Sequence, residues 1–204
     1  MEYVLVALTA FVLIAPVELP DKTFVATLVL TTRYPPLPVW LGVVAAFGVQ
    51  CLVAVAAGSL LAQLPQAPVA LVSAGLFAVG ALLLLRGARR ADAEGAEQEQ
   101  AFASKVGEGK QGWRAFGASF LVLFTAEWGD LSQLLVAGLV ASGQPAIPVF
   151  FGSWAALATV SGLAVLLGRW LLKKIRLSLV SYVASGVCAI LAVVTAITAI
   201  NSLI

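Results

Sequence analysis

Glu18-Leu19-Pro20-Asp21-Lys22-Thr23 and Glu127-Trp128-Gly129-Asp130-Leu131-Ser132 are two versions of one acidic hexapeptide, each near the middle of a long apolar stretch. A carboxylate at the dry centre of a bilayer costs several kcal/mol unless it is paired, protonated or holding a cation. Four such acids in two matched pairs read as a cation pathway. The surrounding chain agrees: 61% of its 204 residues are hydrophobic and only 11% are charged, with a mean hydropathy of +1.03. Soluble domains are nearer half apolar and about a quarter charged, so this is a polytopic membrane protein.

The chain has no histidine. That removes the usual zinc and haem ligand, the neutral-pH proton shuttle and the Ser/His and Cys/His catalytic pairs. Cys51 and Cys188 are isolated in apolar runs, without metal or redox spacing. No enzyme activity and no cofactor are implied. The first apolar run is too long for a removable leader, has no basic start and carries Glu18 itself.

A spanning helix needs roughly 20 apolar residues. Six segments qualify, at about 3–32, 38–63, 68–86, 114–141, 146–169 and 177–201. Turn chemistry separates them at Arg33-Tyr34-Pro35-Pro36, at Pro65 to Pro68 and at Gly143-Gln144-Pro145. Residues 87–113 differ in kind, being charged and glycine-bearing; they read as a solvated linker with a short surface helix near 91–104. Three units follow: a three-helix repeat at 1–86, a linker at 87–113 and a second three-helix repeat at 114–204. Of twelve Lys and Arg, only Lys22 lies inside a span; the others flank the first, third and fifth loops. The positive-inside rule places those loops, linker included, in the cytoplasm and both termini outside. Trp40, Trp113, Trp154 and Trp170 lie near span ends, as interfacial anchors do, whereas Trp128 lies at mid-depth.

The halves repeat. Glu18 and Glu127 are 109 residues apart, as are Asp21 and Asp130, and Thr23 and Ser132. Pro38-Val39-Trp40-Leu41-Gly42 matches Pro148-Val149-Phe150-Phe151-Gly152 at a spacing of 110. Three spans per half reverse the sense of insertion, so the fold class is an all-α, six-span 3+3 inverted repeat, with a site expected near the midplane between the halves. Glycines 75, 80, 138, 152 and 162 read as close helix packing.

Residues three apart share a helix face, so Glu18 and Asp21 project together, as do Glu127 and Asp130. Hard oxygen ligands suit Ca2+, Mn2+ and Mg2+. Thr23, Ser132, Gln133 and Gln50 are further candidate oxygen donors; Thr23 and Ser132 reach the site only if the helix is distorted and otherwise back-bond to a carbonyl. Pro16 and Pro20 each free a carbonyl one turn earlier, and Gly129 stands where the first copy has Pro20. These three are the candidate points of backbone distortion. Four ionised acids and Lys22 sum to −3, and a divalent ion leaves −1. An empty site cannot stay fully ionised in a low dielectric, so protons are expected to replace the metal. Lys22, one turn beyond Glu18, is placed as a charge partner or gate. A static salt-bridge knot is the structural alternative, and its recurrence in an inverted repeat favours transport.

On the doubled hexapeptide, the chain resembles the Gdt-type cation/proton exchangers, which include Golgi calcium/manganese transporters and bacterial manganese exporters. Their hallmark is two copies of E-x-G-D-[KR]-[ST] in a six-helix inverted repeat. The resemblance implies that Glu18, Asp21, Glu127 and Asp130 bind the metal and exchange protons, that Thr23 and Ser132 hold the hydroxyl position, and that Gln133 fits the common form. It departs twice: Pro20 replaces a glycine and Leu131 replaces the second basic residue, which makes the site more negative than the family pattern. The expected function is export of Mn2+ or Ca2+ from the cytoplasm in exchange for protons, across a bacterial plasma membrane. A proton-independent channel and an exporter of a cationic amino acid are the competing classes. The partners implied are divalent ions, protons and lipid, with no nucleic acid.

Overall fold

A computed structural model describes residues 2–18, 22–88, 112–174 and 177–201. Most of the linker, with its expected helix near 91–104, lies outside the described residues. Among the described residues there are eight helices and no strand. They are α1 (Glu2–Glu18), α2 (Lys22–Arg33), α3 (Pro36–Leu61), α4 (Gln66–Ala88), α5 (Trp113–Ala126), α6 (Leu131–Ala141), α7 (Ala146–Lys174) and α8 (Leu177–Asn201).

Where the sequence reads one continuous span at 3–32 and another at 114–141, each is two helices. Glu2–Glu18 and Thr23–Arg33 are inclined by 70°, and so are Trp113–Ala126 and Leu131–Ala141. Apolar periodicity runs through both breaks, which is why the spans look unbroken in the sequence. Pro36–Leu61 and Ala146–Leu166 are long and apolar enough to cross a bilayer, and each bent pair adds a span, making up to four. α4 and α8 carry shorter apolar runs, Leu71–Arg86 and Cys188–Ile197. Proline sets the start of α3: Pro35 is the N-cap with φ −56° and ψ 135°, and a proline opens the first turn, where its missing N–H is not needed.

α3 and α7 form the centre. The bent pair of the first half, α1 and α2, packs on α7; that of the second half, α5 and α6, packs on α3. α3 packs on α7, and α4 on α8. The 109–110 register recurs in these contacts. A Cβ added to Gly42 in α3 would overlap the carbonyl oxygen of Phe116 in α5, and one added to Gly152 in α7 would overlap that of Ala7 in α1. Gly42 and Gly152 are 110 apart, and Ala7 and Phe116 are 109 apart. Only a residue without a side chain lets these backbones meet.

Two tryptophans read as interfacial anchors instead join the central helices. The Trp40 indole donates to the Ala158 carbonyl at 3.0 Å, and that of Trp154 donates to the Val44 carbonyl at 2.9 Å. A buried indole N–H needs such an acceptor. Trp113 is 85% exposed, in keeping with an anchor. Gly80, Gly138, Gly152 and Gly162 have close neighbours as expected, whereas Gly75 has nothing within 4 Å. The core holds Val39, Val43, Phe47, Leu135 and Leu157, while Leu52, Leu60, Leu83 and Ile190 point outward. Large apolar side chains on the outside of an oily bundle suit lipid as solvent.

Candidate functional site

Each acidic hexapeptide sits at one of the two 70° breaks. Glu18 is the last residue of α1 and is 1% exposed. Asp21 and Pro20 lie outside the described residues. Lys22 opens α2, and its side chain is likewise outside the description. Thr23 follows it, buried, and its hydroxyl has no hydrogen-bond partner among the described residues. Pro16 is accommodated inside α1, which continues past it to Glu18.

The second copy is described in full, and it corrects the shared-face reading. α5 ends at Ala126; Glu127 is its C-cap, with φ −102° and ψ 11°. Gly129 has φ +79°, the left-handed region that glycine occupies without steric penalty. Asp130 is the extended N-cap of α6, with φ −71° and ψ 167° and no side-chain cap bond. Glu127 and Asp130 therefore belong to two different helices. Glu127, 2% exposed, stands at a carbonyl-rich helix end, which favours cations. Asp130 stands at the N–H-rich start of α6. Its Oδ2 is buried without a hydrogen-bond partner among the described residues.

The Gln133 amide bridges this break. Its Oε1 accepts from the Gly129 N–H at 3.1 Å, and its Nε2 donates to the Glu127 carbonyl at 3.2 Å. The Asp130 N–H also donates to that carbonyl, at 3.3 Å. Ser132 is buried in the first turn of α6. Trp128 is 58% exposed and lies with its ring 4.9 Å from that of Phe124. Leu131, where the family pattern has a basic residue, packs on α4: a Cβ on Gly80 would come 2.7 Å from its Cδ1.

α3 joins the two copies. Gln50, 2% exposed, donates through Nε2 to the Phe124 carbonyl near the end of α5, at 3.2 Å. The next residue, Cys51, lies within electrostatic reach of Glu18. One turn of α3 thus bonds to the end of α5 through Gln50 and, through Cys51, lies within electrostatic reach of the glutamate that ends α1. Among the described residues, no three of His, Cys, Asp and Glu gather closely enough to hold a metal; Asp21 is outside that set. The donors present are hard oxygens with no nitrogen or thiolate cluster, which fits Ca2+, Mn2+ or Mg2+ better than soft ions. The sequence reading marks Gly129 as a point of distortion but not a full break into two helices, and it lacks the Phe124 carbonyl contact. The signal for the break was there: Gly129-Asp130 is a helix-ending glycine followed by an N-cap residue.

Fold and site together define a membrane protein with acids at two matched helix breaks. The family model of the divalent cation/proton antiporter GDT1 matches residues 6–92 and 115–203. The chain belongs to this family, which is one of transporters and not of enzymes. It is 35% identical over 149 residues to a GDT1-like protein of Synechocystis sp., covering 69% of this chain and 72% of that one. It is 26% identical over 211 residues to a protein of Arabidopsis thaliana named PAM71-homolog, chloroplastic, covering 91% of this chain and 57% of that one. The chain thus spans little more than half the length of the plant relative. No solved structure matches it.

Proposed function

We propose that this protein exports Mn2+ or Ca2+ from the cytoplasm in exchange for protons, using Glu18, Asp21, Glu127 and Asp130. The observation that carries this reading is the pair of matched breaks, each with a buried glutamate at a helix C-terminal end, the second bonded to α3 through Gln50 and the first within electrostatic reach of the adjacent Cys51. Broken helices at membrane depth are tolerated where they line a cavity, and their carbonyl ends coordinate cations. Metal and protons compete for the same carboxylates, so loading one expels the other. Lys22 is the internal cation that pairs with the acids of the first copy when metal leaves.

The proposed arrangement is a six-span inverted repeat, 1–86 and 114–204, with α4 and α8 as the third and sixth spans. The termini lie outside and the linker 87–113 in the cytoplasm of a bacterium whose plasma membrane holds the protein. The glycine contacts related by 109–110 residues support the repeat, and the basic loops support the orientation.

Uptake into proteoliposomes tests the function. Mn2+ and Ca2+ are compared with and without a pH gradient, beside Glu127→Gln. Gradient-dependent movement lost in the variant is expected. Movement indifferent to the gradient indicates a channel, and no divalent movement by folded protein indicates an organic cation.

A further inference from the structure

Threonines in these helices have a regular habit. Thr9, Thr31, Thr32, Thr125 and Thr159 each donate the side-chain hydroxyl to a carbonyl three or four residues earlier, at 2.7–2.8 Å. Thr27 does not. It lies in the middle of α2, 0% exposed, and its Oγ1 has no hydrogen-bond partner among the described residues. Ser119 in α5 is the same: 0% exposed, with its Oγ unpartnered among the described residues. A buried hydroxyl without a partner is unfavourable, and a native one calls for a physical reason.

The repeat supplies an internal comparison. The residue 109 positions from Thr27 is Val136, and the one 109 positions from Ser119 is Ala10. Val136 and Ala10 are both buried. Packing at the corresponding sites is thus satisfied by a side chain of similar shape, or smaller, with no oxygen. Val136 is close in volume to threonine, so space does not explain the hydroxyl of Thr27.

Position gives these oxygens a direction. α2 runs from the first break to Arg33, and α5 runs from Trp113 to the second break. The two helices are in contact. In the proposed orientation, both Thr27 and Ser119 lie in the cytoplasmic half. On the opposite side of the breaks, α1 and α6 line a cavity of about 670 Å³ whose walls include Ala10, Leu13, Phe77 and Leu139. The residues matching Ala10 and Leu139 on the cytoplasmic side are Ser119 and Leu30, both 0% exposed. The outer approach is therefore open, its wall mixing apolar side chains with Thr9, Ser142, Gln144 and Thr195, while the inner one is packed around the hydroxyls of Thr27 and Ser119. The two other hydroxyls of this kind, Thr23 at the first break and Ser153 in the outer part of α7, are not in this group.

We infer that Thr27 and Ser119 are cation-contacting residues of the cytoplasmic approach, supplying neutral oxygens to a partly dehydrated divalent ion on its way to the glutamates. This inference rests on the antiport reading above. Neutral oxygens can replace water around a hard cation without the charge that would trap it.

The test uses the full chain in inside-out membrane vesicles with an acidic lumen, measuring uptake of Mn2+ and, in parallel, Ca2+. The proteins are wild type, Thr27→Val, Ser119→Ala and the rescue variant Thr27→Ser. Loss of one ligand oxygen is expected to raise the KM for cytoplasmic metal about tenfold. Thr27→Ser should return it towards wild type, and Thr27→Val should melt no lower than wild type. Wild-type KM in both Thr27→Val and Ser119→Ala, with uptake intact, would overturn the inference and leave the antiport reading standing. A lower melting temperature for Thr27→Val would also overturn it, because the hydroxyl would then be structural. No divalent uptake by wild type would sink the antiport reading itself.

Discussion

Glu127 closes one helix and Asp130 opens the next, so two carboxylates three residues apart experience opposite ends of helix dipoles. Removing the charge tests the first role: Glu18→Gln and Glu127→Gln are each expected to abolish metal exchange while the protein still inserts and folds. Transport at the wild-type rate by either would remove that glutamate from the site. Gln133 predicts differently. Its two bonds tie Gly129 to the Glu127 carbonyl, so Gln133→Leu leaves the Gly129 N–H unpaired and the carbonyl with the Asp130 N–H alone. A loss of about 2 kcal/mol in stability is expected, read as a lower melting temperature in detergent, together with slower transport. If Gln133 were an ion ligand alone, stability would hold while metal affinity fell. The sequence singled out Gln133 because it follows the acidic signature, but proximity along the chain cannot distinguish a ligand from a clamp.

At the scale of helices, the legible and illegible parts separate cleanly. α3 and the start of α7 stand close to where apolar length places them, because a proline-bounded hydrophobic run is a direct signal. The breaks at Glu18 and at Glu127–Asp130 were legible only as points of distortion, at Pro16, Pro20 and Gly129, within spans read as continuous. Apolar periodicity is blind to a short interruption whose flanks are both helical, and Gly129 reads equally well as a packing glycine. The close approaches were legible as glycines but not as partners. Gly42→Ala and Gly152→Ala each force a Cβ onto a neighbouring carbonyl, so each is expected to destabilise by about 1–3 kcal/mol. Because the contacts correspond, the two losses should be similar. An unchanged melting temperature for either variant would show that its helix pair is not held at this contact. Leu131→Lys is expected to lower stability, since its side chain packs on Gly80 of α4. Wild-type stability with a shifted ion preference would instead place that position in the site.

For the whole molecule, the doubled hexapeptide carried the repeat, and the repeat carried the expectation of a shared site. What the sequence could not convey is how the halves interlock: each bent pair packs on the central helix of the other half. That exchange depends on backbone contact distances, which leave only small residues as a trace. The antiport account also sets a pH dependence. If protons and metal compete for the same acids, apparent metal affinity must weaken as pH falls, by about tenfold per unit for each proton displaced. Direct titration is the most decisive check. Purified protein in weakly buffered detergent is titrated with Mn2+ and with Ca2+ while proton release is recorded, beside a Glu18→Gln/Glu127→Gln double variant. Protons released with each bound metal ion, and lost together with binding in the double variant, are the predicted result. Metal binding with no proton release at any pH would contradict exchange at these carboxylates.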